Sequence, residues 1–252
     1  MIRAPEGPSL RDWLTARPIA HRGLHDAASG VIENTASAFQ AALDGGYGIE
    51  CDVQISADGE AMVHHDDALG RLTDGSGFLE AMTAAELKRV AFKASADRML
   101  TLGELCDLVG GRTTLLIELK RHAADDVRLA ARTAQVLAGR MQEPIATMSF
   151  EPALMAELRR LAPALPGGMV AMRREAKSDP DVPSVRWRYA RDLFGARPQF
   201  LAYRVQDLTS PPPLIARHLL RWPLLAWTVR TEADRARAAR HADQIIFEGF
   251  RA

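Results

Sequence analysis

The sequence predicts an α/β protein, an eight-stranded (β/α)8 barrel with a small hairpin-containing insertion after its second strand. Short runs rich in Val, Ile and Leu alternate with longer amphipathic stretches, the pattern of parallel strands joined by crossover helices. Nine such runs can be read, one more than the barrel holds. The second and third are separated by a turn at Ala57-Asp58-Gly59, and a gap that short closes an antiparallel hairpin, which a parallel crossover cannot use. The third run is therefore an excursion, and eight strands remain.

In chain order, strands are expected at Ile19–His21, Gly48–Ile55, Ala61–His65, Thr114–Lys120, Ile145–Phe150, Gly168–Met172, Phe200–Val205, Leu224–Val229 and Gln244–Glu248. Asn34-Thr35 is placed to cap a helix with Ala38, Phe39 and Leu43 on one face, ended by Gly45-Gly46. Thr101 and Glu104 make a capping box for a helix ending at Gly110-Gly111. Further crossover helices are expected over Asp125–Ala138, Pro152–Leu161, Val185–Phe194 and Glu232–Ala242. Pro211-Pro212-Pro213 reads as a stiff loop in which no helix starts before Leu214. The insertion is expected over residues 53–100 of one barrel domain spanning 1–252.

With 47% hydrophobic and 25% charged residues, the 252-residue chain has the make-up of a globular protein with one sizeable core. Its formal net charge of zero gives no reason to expect a nucleic-acid or anionic-membrane partner. Residues 1–126 carry 20 acids against 12 Lys and Arg, and residues 127–252 carry 12 against 20. Those charges are scattered through apolar-periodic segments, which favours one fold whose halves attract. Cys51 and Cys106 are too few for a disulfide scaffold and suit a reducing cytoplasm. Glu6, Arg11 and Asp12 interrupt any leader-like pattern, and Arg217, His218 and Arg221 break the most apolar stretch, so neither a signal peptide nor a transmembrane segment is expected. The arginine-rich stretch from Arg173 to Arg191, with Trp187 and Tyr189, reads as a solvated helix or a membrane-surface contact.

Residues able to do chemistry crowd the strand ends. Glu50 and Asp52 are two apart on one strand, so their carboxylates share a face. Two buried acids need compensation, and a hard, oxygen-ligated Mg²⁺ or Ca²⁺ supplies it; on a half-exposed strand the pair would simply face water. Glu118, near the end of an apolar strand expected to lie beside theirs, is a third carboxylate at the face where barrels keep active sites. His21 and His65 end the first strand and the hairpin, as general acid and base or as structural hydrogen-bonders. His64 is turned to the opposite face by alternation. Arg22 and Lys120 offer phosphate binding or ion pairing, and Phe150 and Trp227 a wall for substrate carbons or core packing.

Taken together, His21-Arg22-Gly23, Glu33-Asn34-Thr35, Glu50-Cys51-Asp52-Val53, Asp58-Gly59, Val63-His64-His65-Asp66 and Asp74-Gly75-Ser76-Gly77 resemble, in order, the glycerophosphodiester phosphodiesterase family, a phospholipase C-like group. Ile117–Lys120, Ser149-Phe150 and Trp227-Thr228-Val229 extend the resemblance over about residues 18 to 248. The resemblance implies a TIM-type barrel and one divalent cation, Mg²⁺ or Ca²⁺, on Glu50, Asp52 and Glu118. It further implies proton transfer by His21 and His65, and substrate binding by Arg22, Lys120, Glu33, Phe150 and Trp227. The implied reaction is hydrolysis of small-molecule glycerophosphodiesters to sn-glycerol 3-phosphate and an alcohol, through a cyclic phosphate or by direct attack of water. A lysophospholipase D-like or phosphoinositide-cleaving enzyme, and an inactive phosphodiester-binding barrel, are the alternatives. The chain departs from the family at residues 242–250, where Glu248 stands in for the last-strand acid, and at Arg230, where Asn is common.

Overall fold

The computed structural model describes residues 8–121, 126–173 and 192–252. Eight parallel strands form a closed barrel: β1 (Ile19–Ala20), β2 (Gly48–Ile55), β4 (Leu115–Leu119), β5 (Ile145–Ser149), β6 (Gly167–Ala171), β7 (Phe200–Arg204), β8 (Leu224–Val229) and β9 (Gln244–Phe247). Pairing of β1 with both β2 and β9 closes the ring. The ninth strand, β3 (Ala61–Val63), is antiparallel to β2 and lies outside the ring, as the short turn before it requires. β2 runs to Ile55, so the excursion begins at Ser56 and returns at α4 (Leu102–Val109).

The strands bury both faces, which is why they read as continuous apolar runs. Inward residues Ile19, Leu116, Met148, Val170, Phe200 and Leu225 fill the barrel, with Leu14 of α1 (Leu10–Leu14) added to them. Outward residues such as Ile49, Cys51, Val53, Ile117 and Leu119 pack under the helices α2 (Ala36–Asp44), α4, α5 (Arg128–Leu137) and α6 (Pro152–Leu161). A third cluster, including Met62, Leu79, Leu87 and Phe92, forms the insertion's own core around the short helix α3 (Ala84–Leu87). Gly168 leaves room for the Phe200 ring, which would lie 2.4 Å from a Cβ placed there.

Most expected helices are present, with the Thr101–Glu104 capping box made in both directions. Two local expectations are corrected. A helix does begin at Pro211: α8 (Pro211–Leu214) places its prolines in the first turn, where the missing N–H groups have no helical acceptor to lose. It follows α7, residues 192–196, and continues as a π-helical turn over Ile215–Leu219. At α2, neither Asn34 nor Thr35 caps through its side chain; Thr35 Oγ1 donates to the Ile32 carbonyl, and Asn34 is committed to the acidic cluster below. The expected helix over Val185–Phe194 and the arginine-rich 173–191 stretch lie largely outside the described residues. Helix α9 (Glu232–His241) leads into β9, and among the described residues no helix is long and apolar enough to cross a membrane.

Candidate active site

The acids meet because of register. Asp52 of β2 is paired with Glu118 of β4, so the two side chains are neighbours on adjacent strands, and Glu50 shares their face two residues back. One oxygen from each of Glu50, Asp52 and Glu118 lies within 4.8 Å of the others, and all three residues are buried. Main-chain bonds hold the rim beyond the strands: His21 N donates to Phe247 O, Lys120 N to Val53 O and Glu248 N to Val229 O.

Two cations serve the cluster. Lys120 Nζ lies 2.9 Å from Asp52 Oδ1 and 2.5 Å from Glu118 Oε1. Arg22 Nη1 donates to Glu33 Oε1 at 2.7 Å, its Nε stands 3.1 Å from Asp52 Oδ2, and its main-chain N–H donates to Glu50 Oε2. Asn34 clasps Asp52 twice, its Nδ2 donating to Oδ2 and its Oδ1 accepting from the main chain. Arg22 and Asn34 both adopt left-handed backbone, φ 58° and 57°, and the Asn34 main-chain N–H donates to the Arg22 carbonyl. That conformation folds both residues back over β2.

Gly23 explains the motif's glycine. Its φ is +78°, and a Cβ there would lie 2.7 Å from the Ala38 carbonyl carbon, where α2 presses on the loop. Gly23→Ala is expected to lower stability by about 2–3 kcal/mol, read as a fall of roughly 5–10 °C in melting temperature. A melting temperature within a degree or so of the parent's would contradict this close contact.

Burial pushes the Glu50 carboxyl well above the usual carboxylate range, and Asp52 and Glu118 push it further. Glu118 is lifted by burial to about 6, with Lys120 opposing. Burial also acts upward on Asp52, but Lys120 and Arg22 outweigh it and hold that carboxyl well below the usual range. Glu50 Oε1 is buried with no hydrogen-bond partner. An all-carboxylate donor set with an unsatisfied oxygen, two of its acids raised by burial and by their neighbours, fits a hard divalent cation, whose charge relieves that repulsion. Glu50 and Glu118 must both be ionised when the cation binds, so affinity for Mg²⁺ or Ca²⁺ is expected to climb with pH through about 6, where Glu118 gives up its proton. The slope should approach tenfold per pH unit for each proton released. Titration calorimetry at pH values from about 5 to 7 reads the slope, and a flat profile would contradict ligation by these two raised acids.

His21 Nδ1 lies 2.5 Å from Glu248 Oε2 on the neighbouring strand end, and its Nε2 stands 3.9 Å from Glu50 Oε2. Burial lowers the imidazole's pKa against the pull of Glu248, favouring a neutral ring that donates Nδ1–H to the carboxylate and keeps a lone pair on Nε2. Glu248 is itself held well below the usual range: burial raises it, but the bonds from His21 and Arg230, with His25 Nε2 3.9 Å away, prevail. Strand β3 stops at Val63, so His64 and His65 belong to the following loop. His64 is buried beside Phe92, in the insertion. His65 is part-exposed, with Nδ1 2.8 Å from Asp66 Oδ1. Arg71 grips Asp66 through Nε and Nη2 and Glu33 through Nη2, tying the His65 loop to the barrel rim through Glu33 and Arg22.

Phe150, just past β5, and Trp227, within β8, pack edge to face with centroids 5.5 Å apart, resting on the barrel-interior cluster. Arg71 and His25 are participants that the sequence did not single out, and Asn34, Asp66 and Arg230, named there only as a cap, a motif residue and a departure from the family, join the site's charge network. The motif held a signal for Asn34, since Asn is among the few non-glycine residues that accept left-handed backbone. Arg71 had none, because its partners are 5 and 38 residues away.

A model of the glycerophosphoryl diester phosphodiesterase family matches residues 21–247. The chain is 31% identical over 161 residues to a glycerophosphodiester phosphodiesterase of Caldanaerobacter subterraneus subsp. tengcongensis, covering 60% of this chain and 65% of that protein. It is 34% identical over 164 residues to a putative glycerophosphodiester phosphodiesterase of Bacillus subtilis, covering 60% and 64%. These matches therefore span less than two thirds of the relatives' length. Among solved structures, a putative glycerophosphoryl diester phosphodiesterase from Silicibacter pomeroyi superposes with a TM-score of 0.74 at 27% identity, covering 95% of this chain and 94% of that one. An Oleispira antarctica phosphodiesterase, solved with the product sn-glycerol 3-phosphate, superposes at 0.76 with 22% identity over 93% and 94%, a likeness of fold. The family match runs from His21 to Phe247 and takes in the strand ends where the acids converge; the chain belongs to the glycerophosphoryl diester phosphodiesterase family.

Proposed function

We propose that the protein hydrolyses water-soluble glycerophosphodiesters to sn-glycerol 3-phosphate and an alcohol, using one Mg²⁺ or Ca²⁺ ion. The observation that carries this reading is the meeting of three buried carboxylates with an imidazole whose Nδ1 is fixed by a fourth. Glu50, Asp52 and Glu118 would hold the cation, which when bound supplies Lewis-acid charge at the phosphate oxygens and lowers the pKa of a coordinated hydroxyl.

The chain's own residues handle the protons. With Nδ1–H committed to Glu248, His21 presents Nε2 towards the acidic cluster as a base or, once protonated, as an acid. His65, held through Nδ1 by Asp66, would use its free Nε2 as the second proton-transfer group. In the proposed sequence one imidazole takes the proton of the glycerol 2-hydroxyl as its oxygen bonds to phosphorus. The other protonates the departing alkoxide as the old P–O bond breaks. Water then opens the cyclic phosphate with the two roles reversed. Direct attack by water on the diester is the competing route, and a single-turnover reaction that yields glycerol 3-phosphate with no cyclic phosphate would favour it.

Arg22 and Lys120 stand beside the acids with their charges balanced against carboxylates, and a cation on those carboxylates would release part of each for a phosphate oxygen. Glu33 orients Arg22, while Phe150 and Trp227 supply an apolar surface for the glycerol carbons. The product held by the Oleispira antarctica barrel is the half of the diester this mouth would retain. Cys51 and Cys106 are separate buried thiols, in keeping with a cytoplasmic enzyme. Release of glycerol 3-phosphate from glycerophosphocholine, glycerophosphoethanolamine and glycerophosphoglycerol, with metal added or chelated, tests the proposal. Metal-dependent release from at least one is expected; none from any, by a protein that binds the cation, would leave an inactive diester-binding barrel.

A further inference from the structure

The flank of the barrel between β7 and β8 carries a surface the proposed reaction does not use. Leu214, Ile215, Leu219 and Leu220 are between 38% and 75% exposed, four large aliphatic side chains within seven residues. The turn they sit on is π-helical, closed by a bond from Leu220 N to Ile215 O, so positions five apart are brought close along it. Leu214 and Leu219 thereby form one row and Ile215 and Leu220 another, making a continuous strip, while Ala216 beneath is buried in the core. Isolated exposed leucines need no explanation, but a strip of four does.

The charges around the strip have one sign. His218 and Arg221 are exposed beside it, and no Asp or Glu occurs between Asp207 and Glu232. The acid that does reach it from the start of β9, Asp243, is occupied by Arg11 and Arg217, each at 3.1 Å. Exposed aliphatics flanked by an excess of arginine over acid, Arg11, Arg217 and Arg221 against Asp243, match a surface that is apolar inside and anionic outside. We propose that this flank docks on the headgroup region of an anionic lipid bilayer, with Leu214, Ile215, Leu219 and Leu220 inserted and Arg221 and His218 among the lipid phosphates. A second copy of the chain fits less well. A two-fold contact would bring two arginine-rich patches together with no acid in either beyond the already occupied Asp243 to neutralise them. The π-turn leads into the start of β8, whereas the acids lie towards the strands' C-terminal ends, so docking leaves the site open to water-soluble diesters released near the bilayer.

Flotation of the full chain with phosphatidylcholine vesicles, with and without about a third phosphatidylglycerol, tests the docking. The expected result is partition onto the phosphatidylglycerol vesicles alone, weakened by about 0.5 M salt. Arg221→Asn should cost about fivefold in partition, and the Ile215→Ser/Leu219→Ser variant at least about tenfold. Both variants should melt within a few degrees of the parent and cleave soluble glycerophosphodiester at its rate, because none of these residues reaches the acidic cluster. No partition of the parent protein, or partition unchanged in the double serine variant, overturns the proposal. So does a dimer, seen by light scattering, that the double serine variant dissociates while vesicles bind neither protein.

Discussion

Glu50→Gln should leave the fold intact, melt no lower than the parent when metal is chelated, and lose about three orders of magnitude in turnover of a glycerophosphodiester. The expectation combines two consequences of one burial. Glu50 is fully buried and its carboxyl is raised well above the usual range by burial and then by Asp52 and Glu118, so ionising it at neutral pH costs the metal-free protein stability. The amide removes that cost and retains an oxygen to accept from the Arg22 main chain at the position of Oε2. What it cannot retain is the charge that holds a divalent cation, so affinity should fall alongside activity. Calorimetric metal titration, a melting curve in chelator and a product-release assay read all three. A variant that turns over at the parent's rate with metal bound would remove Glu50 from the ligand set, and with it the proposed site.

His21→Ala and His65→Ala should each lower kcat by roughly 10²–10⁴ while metal affinity changes little. Losses in the double variant should fall short of the product of the two, because residues acting as one unit are not additive. Which histidine protonates the leaving alkoxide can be read from an activated substrate. A diester whose departing group is a nitrophenol needs little protonation, so the variant missing the acid should recover much of its rate on that substrate while the variant missing the base stays slow. His21 is more strongly organised in the structure, buried and fixed by Glu248. His65 reaches the rim only through the Asp66–Arg71–Glu33 bridge. If both alanine variants keep kcat within about tenfold of the parent, proton transfer by these imidazoles is wrong.

Arg71 shows what makes part of a site unreadable in sequence. It makes no hydrogen bond or ion pair with Glu50, Asp52 or Glu118, yet its guanidinium bridges the Asp66 side chain to Glu33, on loops that meet because the insertion folds back onto the barrel rim. Glu248 is a similar case. As a residue in a divergent C-terminal stretch it reads as a substitute acid of uncertain use, and only closure of β9 against β1 brings it to His21.

The sequence by itself determined the alternation of strands and helices, the hairpin excursion after the second strand, the capping box at Thr101, and the candidacy of Glu50, Asp52, Glu118, His21 and His65. These follow from local rules: side-chain period along a strand, the span of a turn, and the cost of placing acids on a buried strand. Tertiary structure decided the rest. It set the register that pairs Asp52 with Glu118, spent Asn34 on Asp52 and not on the helix it precedes, started a helix on Pro211, and left the aliphatic strip of the π-turn uncovered. Each depends on which surfaces meet across long stretches of chain, and a side chain with two possible partners takes the one whose burial would otherwise leave a charge unanswered.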